Sequence, residues 1–148
     1  MTNPGFLLED LIVAANHLTR VAAQATGSTT PAAVWRTLSI LTTDGPMRIG
    51  DLARASRVSQ PTMTKLLQNL VEEEYVHRIA DVEDSRAWLI TVGPQGTAAL
   101  TAWRREIGDV LGPLFADLTE AEASAFEQTI TILQSRLAVA AKKTGKVA

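Results

Sequence analysis

The 148-residue chain contains no cysteine, which removes disulfides, thiolate nucleophiles, zinc–thiolate sites and cysteine-based redox sensing from consideration. Aromatic residues are scarce, at 5%, while Ala, Leu and Thr are prominent. Such a composition favours helices packed through small and aliphatic side chains over a β-sandwich. Long hydrophobic runs are also missing. Stretches such as residues 11–15 fall far short of the roughly 20 residues needed to span a bilayer. Glu9 and Asp10 stand where a signal peptide would need a basic start, so the expected location is cytoplasmic, with no membrane partner. Finally there is no overall excess of positive charge: the net charge is −2, which argues against non-specific coating of nucleic acid. A chain of this size buries about 70% of its unfolded surface, enough for a single-domain protomer over residues 1–148 that needs no metal.

The charges are unevenly spread. Between residues 48 and 71, Arg48, Arg54, Arg57 and Lys65 face only Asp51, a local excess of three positive charges. Between residues 72 and 84 the balance reverses, with Glu72, Glu73, Glu74, Asp81, Glu83 and Asp84 opposing Arg78. A basic island therefore sits within an acidic chain.

Hydrophobic spacing gives the order of elements. Leu8, Leu11, Ala15, Leu18, Ala22 and Ala25 recur at steps of three and four, predicting a helix over residues 6–25 that Gly27 and Pro31 bring to an end. Thr30 as N-cap and Pro31 at the first helical position predict a second helix to about residue 43, burying Val34, Trp35, Leu38 and Leu41 before Asp44-Gly45-Pro46. A short helix with Ile49, Leu52 and Ala53 inward follows, then a turn over residues 56–58. After Ser59, an N-cap candidate, Met63, Leu66, Leu67, Leu70 and Val71 form a helical stripe, and the opposite face carries Pro61, Thr64, Lys65 and Gln68. The period then changes: residues 75–79 and 87–92 are β-branched and aromatic runs flanking a polar turn, predicting one β-hairpin. Pro94 opens another helix, which Gly112-Pro113 interrupts. Thr119 and Glu122 fit a capping box for a last helix carrying Phe126, Ile130, Leu133 and Leu137, with fraying expected over residues 142–146.

A short helix, a tight turn, a helix with a polar outer face and a hairpin together define a winged helix-turn-helix. Val58 plugs the turn, Ala53 lies where the two helices cross, and Met63 and Leu66 anchor the second helix. The N-terminal turn and outer face of that helix are left free to enter a DNA major groove.

Ile49-Gly50-Asp51-Leu52-Ala53, the run Val58-Ser59-Gln60-Pro61-Thr62-Met63-Thr64-Lys65-Leu66, and the segment from Arg78 to Arg86 resemble the multiple-antibiotic-resistance regulator (MarR) family of bacterial transcription factors. The likeness spans nearly the whole chain in length and helix order, and is specific over residues 47–96. It implies a mainly α fold with a small β-hairpin wing. A winged helix-turn-helix DNA-binding region over residues 31–93 would be flanked by helical dimerisation regions at residues 5–26 and 94–141. It implies a homodimer on double-stranded DNA, with a small-molecule effector bound between the dimerisation helices and the DNA-binding region. Several positions depart from the family pattern. Ser85 precedes a single Arg86 where a pair of arginines is usual, and Lys65 replaces the commoner arginine. Glu74 stands for glycine, Arg48 for an N-capping Thr or Ser, and Gly93 for threonine. The fold tolerates these changes, but Lys65 supplies a point charge in place of a bidentate fork on guanine.

The residues expected at the DNA have separate roles. Ser59 caps its helix and, with the free N–H groups there, holds a phosphate. Pro61 stiffens the first turn, and Gln60, Thr62, Thr64, Lys65 and Gln68 are placed to reach base edges or phosphates. Arg54 and Arg57 suit phosphate clamping, which adds affinity without sequence choice. Arg86 at the wing suits the minor groove. Arg86 can equally pair with Asp81 or Asp84, and the resemblance implies that one of these aspartates braces it. His17, Trp35 and Trp103 are the candidates for an effector crevice, set against the simpler reading of the tryptophans as core. His17 and His77 have no ligand set at metal spacing, and no Gly-rich phosphate loop or nucleophile–base grouping appears, so no cofactor, metal or enzymatic activity is expected. The favoured function is a homodimeric repressor of a pseudo-palindromic operator, released by a small ligand. The alternative is a winged-helix protein-interaction module or scaffold without sequence-specific DNA binding.

Overall fold

The computed structural model describes the backbone of residues 3–144 and the side chains of residues 3–140. Two compact units divide the chain, Met1–Val110 and Leu111–Ala148.

In the first unit, α1 (Pro4–Thr26) starts from Asn3, whose side chain accepts from the Gly5 N–H, and stops at Gly27 in the left-handed conformation. α2 (Ala32–Asp44) begins one residue later than the sequence suggests. Pro31 itself is the N-cap, without a side-chain cap bond, and the expected cap Thr30 instead donates its N–H to the Ser28 hydroxyl. Gly45 closes α2 with φ 82°. α3 (Ile49–Ser56) and α4 (Gln60–Glu72) form the helix-turn-helix. Their turn is closed by Arg57 in the left-handed region, φ 57°, with the Arg57 and Val58 N–H groups donating to the Arg54 and Ala53 carbonyls.

The wing consists of β2 (Val76–Ala80) and β3 (Trp88–Val92), as the change of period predicts. A third strand was not expected: β1 (Met47–Arg48) joins the outer side of β3, giving an antiparallel sheet in the order β1-β3-β2. Met47 pairs with Ile90 and Arg48 with Leu89, so the residues immediately before α3 are stitched to the wing. α5 (Pro94–Leu111) follows directly.

Leu38 and Leu41 from α2, Leu52 and Ala53 from α3, Met63, Leu67 and Leu70 from α4, Val76 and Ile90 from the wing, and Leu100 from α5 form one buried core. One polar pair is built into it. Thr37 Oγ1 and Ser56 Oγ, both fully buried, lie 3.1 Å apart in a hydrogen bond, and Arg36 Nη1 donates to the Ser56 carbonyl at 2.8 Å. These bonds satisfy the C-terminal end of α3 and fix it against α2.

In the second unit a single 3-10 turn (Gly112–Phe115) leads to α6 (Glu120–Thr144). The Thr119–Glu122 capping box is formed in both directions. The Glu122 N–H donates to Thr119 Oγ1, and the Thr119 N–H donates to Glu122 Oε2. Phe115 and Phe126 stack with centroids 5.9 Å apart. α6 continues through Thr144, past the expected onset of fraying, and the remainder of that expectation, residues 145 and 146, lies outside the described residues.

Candidate nucleic-acid interface

α4 separates its two faces cleanly. Met63, Leu67 and Leu70 are buried, while Pro61, Thr62, Thr64, Lys65 and Gln68 are exposed on the other side. The helical period of 3.6 residues requires this once the apolar stripe is packed. At the start, Ser59 Oγ accepts from the Thr62 N–H at 3.2 Å and donates to Thr62 Oγ1 at 2.8 Å. Only part of the free donor set is used in this way, and the remaining N–H groups point out of the helix end.

Local hydrogen bonds decide what each polar side chain still offers. Thr64 Oγ1 donates to the Gln60 carbonyl at 3.0 Å, so its methyl group and oxygen lone pairs remain. Gln60 sits at the edge of the exposed face nearest α3: a Cβ added to Gly50 would lie 3.4 Å from Gln60 Oε1. Arg54 pairs with Asp51 one turn earlier on α3 while staying exposed. Arg57, at the end of α3, is exposed too.

On the wing, Arg86 is 92% exposed, and its Nε lies 3.6 Å from Asp84 Oδ1. The same carboxylate oxygen accepts from the Arg86 N–H at 3.1 Å. Asp81 does something different. It is buried and bound by Arg48, whose Nε and Nη2 donate to Asp81 Oδ2 at 2.9 and 2.7 Å. Asp81 Oδ1 accepts from the Glu83 N–H at 3.0 Å. Of the two aspartates expected beside Arg86, only Asp84 contacts it. The Glu83 N–H and the Arg48 guanidinium hold the Asp81 carboxyl below its ordinary range, and the Asp81 carboxylate raises the Arg48 pKa.

From the sequence alone, Arg48 and Trp88 are given no role at this site. They line a groove of about 440 Å³ with Ile49, Gly50, Asp51, Arg54 and Ala87, at the junction of α3 and the wing. Trp88 is 59% exposed. A signal for Arg48 did exist: an arginine at an N-cap position cannot cap.

The effector candidates are only partly assembled. Trp35 and Trp103 stack with centroids 5.0 Å apart and planes 10° from parallel, and Trp35 Nε1 is buried without a hydrogen-bond partner among the described residues. His17 is exposed on α1.

The short α3, the turn held by Arg57, the polar outer face of α4 and the three-stranded wing define a winged helix-turn-helix. Residues 31–88 match the family model described as the MarR family. A helix-turn-helix-type transcriptional regulator of Mycobacterium tuberculosis is 32% identical over 85 residues, 57% of this chain and 59% of that protein. The chain thus spans less than two thirds of that relative's length. The regulator YsmB of Bacillus subtilis is 27% identical over 93 residues, 63% of this chain and 64% of its own. Among solved structures, a MarR family protein from Bacillus stearothermophilus superposes with a TM-score of 0.69 at 18% identity, covering 93% of this chain and 99% of the other. Wild-type MarR from E. coli without ligand gives 0.65 at 19%, covering 90% and 97%. These two are likenesses of fold.

Proposed function

We propose that the protein is a cytoplasmic, homodimeric transcriptional regulator that represses from a pseudo-palindromic operator and is released by a small ligand. The observation that carries this reading is the exposed polar face of α4, from Ser59 to Gln68, beside a wing that presents Arg86 to solvent. α4 enters the major groove, where Gln60 and Gln68 suit adenine, Thr62 and Thr64 suit a thymine methyl or phosphate, and Lys65 supplies a point charge. Arg54 and Arg57 grip the phosphates flanking the site, and Arg86 takes the minor groove.

Support for the dimer comes from apolar side chains exposed on each unit taken by itself. Phe6, Leu8, Ile12 and Leu18 lie open on α1, and Phe126, Ile130 and Leu137 on α6. Leaving them in water is unfavourable, and a partner chain at the two helical regions buries them. Two α4 helices then reach successive major grooves roughly 34 Å apart. Support for an effector is Trp35 Nε1, buried beside Trp103 without a hydrogen-bond partner among the described residues, which suits a flat molecule with a hydrogen-bond acceptor; His17 is a further candidate. A ligand favouring a dimer with mis-spaced helices lowers DNA affinity by population shift.

The test is footprinting of purified protein on genomic DNA at moderate salt, combined with its oligomeric state. A protected, two-fold symmetric segment of operator size is expected. Retention of a protein partner insensitive to salt, with no protected DNA, would favour the interaction-module reading instead.

A further inference from the structure

Arg48 is the residue before α3, where a short oxygen-bearing side chain would satisfy a free N–H. It makes no cap bond. Its guanidinium crosses instead to the base of the wing, where two of its nitrogens donate to one oxygen of Asp81. Asp81 is 8% exposed. It is held on its remaining sides, Oδ1 accepting from the Glu83 N–H and its own N–H donating to the Ala87 carbonyl at 3.2 Å. The backbone repeats the tie, since Arg48 pairs with Leu89 across β1 and β3. The loop that carries Arg86 is therefore fixed at its root to the first residue of the helix-turn-helix, by charge and by ladder together.

An isolated ion pair at a surface contributes little to stability, and this one leaves α3 uncapped. Its geometric effect is larger. Ser85 and Arg86 leave the wing tip with a single arginine, so the angle of the wing decides whether that arginine meets the duplex. An arm set in place beforehand loses less conformational freedom when it binds.

We propose that Arg48 is a positioning residue for DNA recognition: by holding Asp81 it sets the wing against α3, so that Arg86 reaches the minor groove while α4 occupies the major groove. This rests on the DNA-binding reading above.

The test is a double-mutant cycle in the full-length protein on the footprinted duplex, with the helical circular dichroism of each variant confirming its fold. Arg86→Ala weakens binding about tenfold in the wild-type background, the scale of one lost groove contact. In the Arg48→Ala background the same change costs less than about twofold, because a misplaced arginine has nothing left to lose. Asp81→Asn also weakens binding, although it removes a negative charge, which simple electrostatics would make favourable. Without DNA, the Glu83 amide exchanges its proton faster in Arg48→Ala.

Additive losses, with a salt dependence reduced by one phosphate contact in Arg48→Ala, would make Arg48 a phosphate clamp and overturn the proposal. Tighter binding by Asp81→Asn, or unchanged exchange at Glu83, overturns it as well. A wild-type protein that protects no DNA overturns the DNA-binding reading and this proposal together; a wild-type footprint with additive variants overturns the proposal alone.

Discussion

Gly96 packs against the main chain of Tyr75 so closely that a Cβ at position 96 would stand 2.2 Å from the Tyr75 carbonyl oxygen. That oxygen also accepts from the Gly93 N–H at 2.9 Å, so it is held at the junction of α4, the wing and α5 and cannot move aside cheaply. Gly96→Ala is therefore expected to destabilise the protein by about 2 kcal/mol or more, the scale of an overpacked core position with no flexible neighbour. Gly93→Ala meets chiefly the His77 ring at 2.5 Å, which is exposed and can swing away, with the Glu74 carbonyl oxygen at 3.1 Å as a lesser, fixed obstacle. Its cost should be smaller than at position 96 and should be reduced by adding His77→Ala. Urea denaturation of the three variants measures both statements; equal losses at positions 93 and 96 would contradict them.

Glu74 ends the turn after α4 with φ 60°, a left-handed conformation that costs a residue with a Cβ about 1 kcal/mol or more. Its N–H donates to the Val71 carbonyl, and the Tyr75 N–H reaches back to Leu70, so the conformation is imposed by the way the chain leaves the helix. Glu74→Gly relieves the strain and loses only an exposed bond in which Gln95 Nε2 donates to Glu74 Oε2. The variant should gain up to about 1 kcal/mol, seen as a higher melting temperature. A lower melting temperature would mean that the Gln95 contact outweighs the strain.

The parts of the fold legible in the sequence were those written in a local period. Met63, Leu67 and Leu70 repeat at helical spacing and are buried as that spacing requires, and the Thr119–Glu122 box lies within four residues. β1 escaped because two residues, Met47 and Arg48, are too few to show alternation. The Arg48–Asp81 bond joins residues 33 positions apart. Nearness along the chain offered both Asp81 and Asp84 to Arg86; Asp84 is the one in contact, while the strand pairing of Arg48 with Leu89 brings a distant guanidinium to Asp81. Ser59, Thr64 and Lys65 were legible as an exposed face because a packed amphipathic helix leaves no other place for them. The stack of Trp35 on Trp103 was not, since no spacing rule relates residues on α2 and α5.

Acid should loosen the wing in a defined direction. The Asp81 carboxyl is depressed by the Glu83 N–H and by Arg48, and Glu122 is depressed by the Thr119 N–H and hydroxyl. A carboxylate with a depressed folded-state pKa contributes stability that is complete above its unfolded value and is lost as pH falls through the folded one. Both contributions are thus present at neutral pH and fade only below about pH 4, the ordinary carboxylate range. Arg48 stays charged throughout. Melting temperature should be flat between about pH 7 and pH 5 with respect to these groups and fall below pH 4. Asp81→Asn and Glu122→Gln should each lower the plateau and flatten the acid limb. An acid limb unchanged in both variants would assign the transition to other carboxylates.

Lys65 and Gln68 share the exposed face of α4 but differ in chemistry, which allows the two kinds of DNA contact to be separated. An ammonium on a flexible stem is a point charge that finds phosphate as readily as a base edge, whereas an amide carries no charge and contributes mainly through a directed pair of hydrogen bonds, adenine being its usual match. Lys65→Ala should weaken operator and unrelated DNA alike, and should lower the slope of log affinity against log salt by about one. Gln68→Ala should leave that slope unchanged and weaken the operator alone, by about 1–3 kcal/mol if the pair is bidentate, narrowing the gap between specific and non-specific binding. Fluorescence anisotropy titrations at several salt concentrations, on the footprinted duplex and on a scrambled one, separate the two. A change of slope in Gln68→Ala, or selective loss of operator binding in Lys65→Ala, would exchange the roles of the two residues and rotate α4 relative to the groove.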